Sequence, residues 1–316
     1  MKLQTQISLQ PERNQIDYAS KVLLLGSCFV ENIGRKLEYY KFQNCCNPFG
    51  IVFHPLAIEK LVTRAINATE FVDDDLFFQN ERWHCFEVHS EISHSEKDTF
   101  LNNLNEALKL LKAQILAASH IVFTYGTSHV YRHIETDTVV ANCHKIPQKK
   151  FLKELLSPED IAGSLDNTIT LIRDINHDVN FITTVSPVRH IKDGFVENTL
   201  SKAHLISGIH TIVDPRQKVH YFPSFEIMMD ELRDYRFYGE DMIHPGNVAI
   251  NIIWERFKLV WISSETESLQ KEIGVIQSGL QHKPFNEQSE AHQAFLKDLQ
   301  KKIENIQNMV PRIKFR

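Results

Sequence analysis

The 316-residue chain has little of what marks several large classes of protein. No apolar run approaches the ~20 residues that span a bilayer, so no membrane partner is expected. The first twenty residues carry Gln, Glu, Arg and Asn where a secretory leader needs an apolar stretch. Basic residues are in the minority: 35 Lys and Arg stand against 40 Asp and Glu, for a formal net charge of -5. Lys149-Lys150 and Lys301-Lys302 are isolated pairs, not a stripe. Nucleic acid is therefore not an expected partner.

Cysteine is scarce and oddly placed. Cys28, Cys45, Cys46, Cys85 and Cys143 contain no CxxC spacing and include one adjacent pair, which fits neither a zinc ribbon nor a disulfide framework. A reducing, cytoplasmic compartment is the expectation that follows. GxGxxG, GxxxxGK[ST], HExxH and GxSxG are all absent, and with them the usual support for dinucleotide, P-loop, zincin and α/β-hydrolase readings. His84, Cys85, His89 and His94 match no metal-ligand spacing and read as a polar hairpin face. With sixteen histidines in the chain, a single histidine carries little weight.

What is present is a repeated strand-then-turn pattern in a chain of ordinary globular composition, 42% hydrophobic and 24% charged. Apolar runs at 22–26, 121–125, 181–185 and 219–222 each end in a turn, and amphipathic helical spacing fills the intervals between them. Helices are predicted over 29–37, 56–68, 98–118, 197–213 and 247–260, with another starting at the Ser157-Pro158-Glu159-Asp160 capping box. Residues 77–88 alternate aromatic and polar side chains, as a short hairpin would. Such alternation argues for βαβ units and a parallel sheet covered on both faces, with the functional crevice beyond the carboxyl ends of the strands. Beyond residue 263 the sequence turns rich in Glu, Lys and Gln, with two helical patterns broken near Lys283-Pro284. The expected division is a core of 1–263 and a peripheral C-terminal helical extension of 264–316.

Three polar groups fall just after predicted strands. Gly26-Ser27-Cys28-Phe29 places a hydroxyl and a thiol beside the free N–H groups of a helix start, where negative charge is stabilised. Either is a plausible nucleophile, or Ser27 caps the helix and Cys28 packs. Asp241-Met242-Ile243-His244 places a carboxylate three residues before an imidazole, so that one ring nitrogen is oriented and the other is free to take a proton. Gly50, in an Asn-Pro-Phe-Gly loop, and Asn142 are candidate oxyanion donors, with the Tyr125–Ser128 turn as a rival source.

Taken together, GSCFVENIG (26–34), NPFGIVFHP (47–55), TYGTSHVYR (124–132), VVANCHKIP (139–147), TVSPVRH (184–190) and the segment 221–245 resemble the GSCFA family, a branch of the SGNH/GDSL hydrolase superfamily. The resemblance runs in order from Lys21 to Ser263. It implies an α/β fold, a three-layer α/β/α sandwich with a mostly parallel five-stranded sheet. It also implies a nucleophile–His–Asp site with Asp241 and His244, and an oxyanion hole that includes Gly50 and Asn142. Ser128, His144 and Arg189, from the same blocks, are expected to contact substrate. One departure matters: the superfamily pattern Gly-Asp-Ser-Leu reads Gly-Ser-Cys-Phe here. Register puts Cys28 in the nucleophile slot, whereas the precedent of oxygen nucleophiles favours Ser27, and the reading leans to Ser27.

The function this implies is ester hydrolysis, removing a small acyl group such as acetyl from a carbohydrate or related small-molecule or glycan ester, with no metal and no organic cofactor. Two rivals are an O-acyltransferase on the same site, with a sugar hydroxyl replacing water, and a non-catalytic binding module with a decayed site.

Overall fold

In a computed structural model, residues 5–315 of the chain are described. The element order is β1 (Lys21–Gly26), α1 (Cys28–Tyr39), β2 (Gln43–Cys46), α2 (Pro55–Ile66), β3 (Leu76–Gln79), β4 (Arg82–Cys85), α3 (Lys97–Ala117) and β5 (His120–Tyr125). It continues with β6 (His129–His133), β7 (Thr138–Val140), β8 (Phe151–Leu155), α4 (Pro158–Ile175), β9 (Asn180–Val185), α5 (Phe195–Ile212) and β10 (Val219–Tyr221). A short α6 (Ser224–Glu226) runs into a π-turn, followed by α7 (Asn247–Trp261), α8 (Glu267–Leu280) and α9 (Glu290–Met309).

The central sheet has the order β10-β9-β5-β1-β2 and is parallel throughout. The four strands expected from the apolar runs are consecutive neighbours in it. Their side chains alternate between two cores. Leu23, Leu25, Ile121, Phe123 and Phe181 face α2, α3, α4 and α5. Val22, Leu24, Val122 and Ile182 face α1, the π-turn and α7. Both faces of β1, β5 and β9 are thus covered, which is why those strands read as unbroken apolar runs rather than alternating ones.

Two small antiparallel sheets stand beyond the carboxyl edge. The hairpin expected within 77–88 forms as β3–β4, and β7, β6 and β8 make a second sheet between β5 and α4. That second sheet is absent from the sequence reading. The C-terminal helices α8 and α9 bury their own cluster of Ile273, Ile276, Leu299, Ile306 and Ile313. They meet the rest of the molecule at the far end of α1, where Gln277 donates to the Tyr39 carbonyl at 3.0 Å.

Candidate active site

Because the strands are parallel, the turns after β1, β5 and β9 emerge on one edge. The first begins at Gly26, whose φ of +141° is open to glycine and strained for other residues. A Cβ there would lie 2.2 Å from the Thr124 carbonyl oxygen on neighbouring β5, so glycine is required sterically as well. Ser27 N–H donates to that same carbonyl at 2.9 Å, and α1 starts at the next residue.

This start separates the two candidate nucleophiles. Ser27 is the N-cap of α1: its hydroxyl accepts from Phe29 N–H at 3.3 Å and the residue is 1% exposed. The hydroxyl to which the sequence reading leaned is therefore engaged in holding the helix, because the first N–H groups of a helix lack intrahelical acceptors. Cys28 is the first residue of α1 and only partly buried. Burial pushes its thiol pKa up, Glu31 adds to that rise, and the cation of Lys202 opposes it.

The Asp241–His244 loop has the expected internal geometry. His244 Nδ1 lies 2.6 Å from Asp241 Oδ2, and Asp241 Oδ1 accepts from the main-chain N–H of Ile243 and of His244. These hydrogen bonds hold the carboxyl at a pKa of about 2, so it stays ionised near neutrality. Met242 takes a left-handed φ of +57° to close the turn. The loop is clamped by Gly239 N–H on the His244 carbonyl at 2.7 Å and by Arg189 N–H on the Ile243 carbonyl at 3.4 Å. The imidazole is 53% exposed, open to a substrate from solvent.

Between that loop and the sheet stands His190, which the sequence reading passed over inside TVSPVRH. Its main-chain N–H is held by Asn198 Oδ1 at 2.9 Å, and its ring stacks on Phe53 with centroids 5.7 Å apart. Its Nε2 has no hydrogen-bond partner among the described residues and packs against Gly126, where a Cβ would come within 3.0 Å of it. Burial, with the charges of Lys202 and His244, pushes its pKa down to about 3, so this imidazole is neutral.

His190 and Phe53 line a cavity of about 240 Å³ with Thr127, His129, Tyr131 and Asn142. Asn142 lines the same cavity. Its Oδ1 accepts from His144 N–H at 2.8 Å and faces the Ser90 hydroxyl at 3.1 Å, which leaves the NH₂ group to point elsewhere.

The other expected site residues are occupied structurally. Gly50 was expected to offer an open N–H; that N–H donates to the Asn47 carbonyl at 2.8 Å, closing a turn with φ +72°. Ser128 is fully buried and its hydroxyl donates to the Ser201 carbonyl at 3.0 Å, so it is out of a substrate's reach. His144 is 3% exposed, with Nε2 on the Cys85 carbonyl at 2.7 Å and Nδ1 facing Ser90. Burial pushes its pKa to about 4, and it braces the wall rather than meeting substrate. Arg189 lies on the far side of its loop, in a separate cavity with Met229, Tyr235 and Tyr238, its guanidinium on the Met229 sulfur at 3.1 Å.

Lys202, on α5, was also missed. It is 1% exposed, and its ammonium donates to the carbonyls of Gly126 and Ser186, each at 2.7 Å. The available signal was a polar stripe of Asn198, Ser201 and Lys202 on the helix face that packs inward. Among the described residues, no group of three or more His, Cys, Asp or Glu is arranged to hold a metal ion.

The sequence profile of the GSCFA family matches residues 21–257, and that of the GSCFA domain protein C-terminal domain matches 262–316. This chain belongs to the GSCFA family. No curated protein matches this GSCFA chain. Among solved structures, a carbohydrate esterase family 3 protein from Talaromyces cellulolyticus is similar at 11% identity and a TM-score of 0.32, over 80% of this chain and 99% of that one. A serine-to-alanine mutant of an acetyl esterase, solved with acetate ion, is similar at 12% identity and a TM-score of 0.31, over the same shares. TM-scores this low carry no weight for the chemistry of the GSCFA chain. No helix among its described residues is long and apolar enough to cross a membrane.

Proposed function

We propose that this protein is an ester hydrolase of the SGNH type, with Cys28 as nucleophile, His244 as general base and Asp241 as the group that orients it. The observation that carries the reading is the 2.6 Å Asp241–His244 pair, taken with a helix-start thiol at Cys28. His244 takes the Cys28 S–H proton through Nε2 as sulfur bonds to the acyl carbon. The oxyanion is met by the main-chain N–H of Cys28 and by the Asn142 amide, each good donor contributing roughly 3 kcal/mol. When the intermediate collapses, the C–O bond to the alcohol breaks and His244 returns its proton to the departing oxygen. Water, deprotonated by His244, then attacks the thioester, releasing the acid and restoring the thiol.

The cavity of about 240 Å³ suits a small acyl group. Its histidine and asparagine lining suits an alcohol rich in hydroxyls, such as a carbohydrate or a related metabolite. Gly50 has no part in this scheme, its N–H being spent on Asn47.

The test is a panel of esters of increasing acyl length, assayed on the wild type, Cys28→Ala and His244→Ala. Turnover of short-chain esters that both substitutions abolish is the expected result. Equal turnover in wild type and His244→Ala on every ester would overturn the reading.

A further inference from the structure

Lys202 is an anomaly of energetics. Burying a lysine ammonium without a carboxylate costs several kcal/mol even when its protons are satisfied. Among the described residues its oxygen acceptors are two main-chain carbonyls, Gly126 after β5 and Ser186 after β9. The face of the Phe225 ring stands 5.7 Å from the nitrogen. With two of three N–H bonds directed at those carbonyls, no third oxygen among the described residues completes the ammonium.

The strand register says what lies nearby. Gly26 is paired with Thr124, and Ser27 N–H bonds the Thr124 carbonyl. One residue further along the first chain is Cys28, and two residues further along the second is Gly126, whose carbonyl holds Lys202. The ammonium therefore sits under the turn that presents the thiol, and each group acts on the protonation of the other.

We infer that Lys202 is a positioning residue: it clamps the turns after β5 and β9 together and supplies the positive charge that balances the Cys28 thiolate. This rests on the reading of Cys28 as nucleophile. The reaction forms a thiolate twice, at attack and again when water displaces it from the thioester. A fixed cation below the sulfur stabilises both without touching the substrate. The other charged or titratable groups around the pair are Glu31 from α1, which opposes the thiolate, and His190 after β9, which is neutral and feels both Lys202 and His244. Burial pushes Lys202 itself down to about 7, and the Cys28 thiolate works against that fall by favouring the ammonium.

The experiment measures iodoacetamide alkylation of each cysteine by peptide mass, between pH 6 and 9, on wild type, Lys202→Gln and Lys202→Met. Gln keeps donors for the carbonyls and removes the charge; Met removes both. The expected result is a fall of about tenfold in the rate at Cys28 near pH 7 in both variants. Cys45 and Cys143 in the same samples should react as in wild type. An unchanged rate at Cys28 in Lys202→Gln overturns the inference, since the clamp alone then suffices. Should Lys202→Met not fold, the Gln variant decides. Ester turnover by Cys28→Ala separates the two claims. If that variant is inactive and alkylation ignores Lys202, only the charge role falls; if it turns over normally, the nucleophile reading falls first.

Discussion

His54 ties the site's wall to the sheet layer and makes that tie sensitive to acid. Its Nδ1 accepts from Ala57 N–H at 3.2 Å, capping α2, while Nε2 lies 3.1 Å from the Val140 carbonyl of β7. Only the neutral ring with its proton on Nε2 satisfies both bonds; protonation would set an N–H against the N–H of Ala57. Burial pushes the pKa from 6.5 down to about 4. The folded state therefore binds fewer protons than the unfolded one below pH 6.5. The stabilisation is whole above that value and drains away as pH falls toward 4. One proton corresponds to about 1.4 kcal/mol per pH unit, so the span from 6.5 to about 4 represents about 3 kcal/mol. His54→Asn keeps a capping acceptor and cannot titrate. At pH 7 it should be the less stable protein by about 1 to 2 kcal/mol, from the lost bond to Val140 and the smaller side chain. Urea unfolding at half-unit steps from pH 7.5 to 4.5 should show that gap closing and then reversing near pH 5. The other histidines titrate alike in both proteins and cancel. Parallel stability curves would refute the reasoning.

Ser27→Ala should cost about 1 kcal/mol in thermal or urea unfolding, from loss of the α1 cap, and retain ester turnover, whereas Cys28→Ala should abolish turnover at wild-type stability. Asp241→Asn should fold normally, since the residue is exposed, and lower kcat on a short-chain ester by about a thousandfold or more as His244 loses its orienting charge. Gly26→Ala should yield little soluble protein or a strongly lowered melting temperature, because the added Cβ meets the Thr124 carbonyl. Removing residues 262–316 should lower the melting temperature far more than kcat. Cys28 and Tyr39 lie at opposite ends of a 12-residue α1, about 17 Å apart, and the C-terminal helices pack at the Tyr39 end.

The central strands were legible because burial on both faces writes itself as unbroken apolar runs: Leu23, Leu24 and Leu25 in β1, Ile121 to Phe123 in β5. The sheet of β6, β7 and β8 was not, because HVYRH, TVV and FLKEL are short and mostly half-buried or exposed, and the first and last carry charged residues. The Asp-x-x-His pairing could be read because it is local, three residues on one loop. The choice between Ser27 and Cys28 depended on the residue at which α1 begins, and a one-residue shift rotates a helical side chain by about 100°. Gly50, Ser128 and His144 stood in the right blocks but bond to neighbours distant in sequence or closed by a turn. Lys202 stayed hidden because a lysine on a helix is read as solvated, and the stripe it forms with Asn198 and Ser201 is polar and so does not read as an inward face.

The insert between β5 and α4 leaves the sheet after β5, returns through α4 and is pinned on the way where Val140 meets His54. It contributes Tyr131 and Asn142 to the cavity, whereas Cys28 opens the helix after β1 and Asp241 and His244 stand on the loop before α7. In the proposed scheme the insert thus does two things at once, shaping one wall of the cavity and supplying the Asn142 amide. Away from Asn142 and from the Val140 bond to His54, its residues can change and reshape what the cavity admits, while the thiol and the imidazole, carried elsewhere in the chain, keep their places.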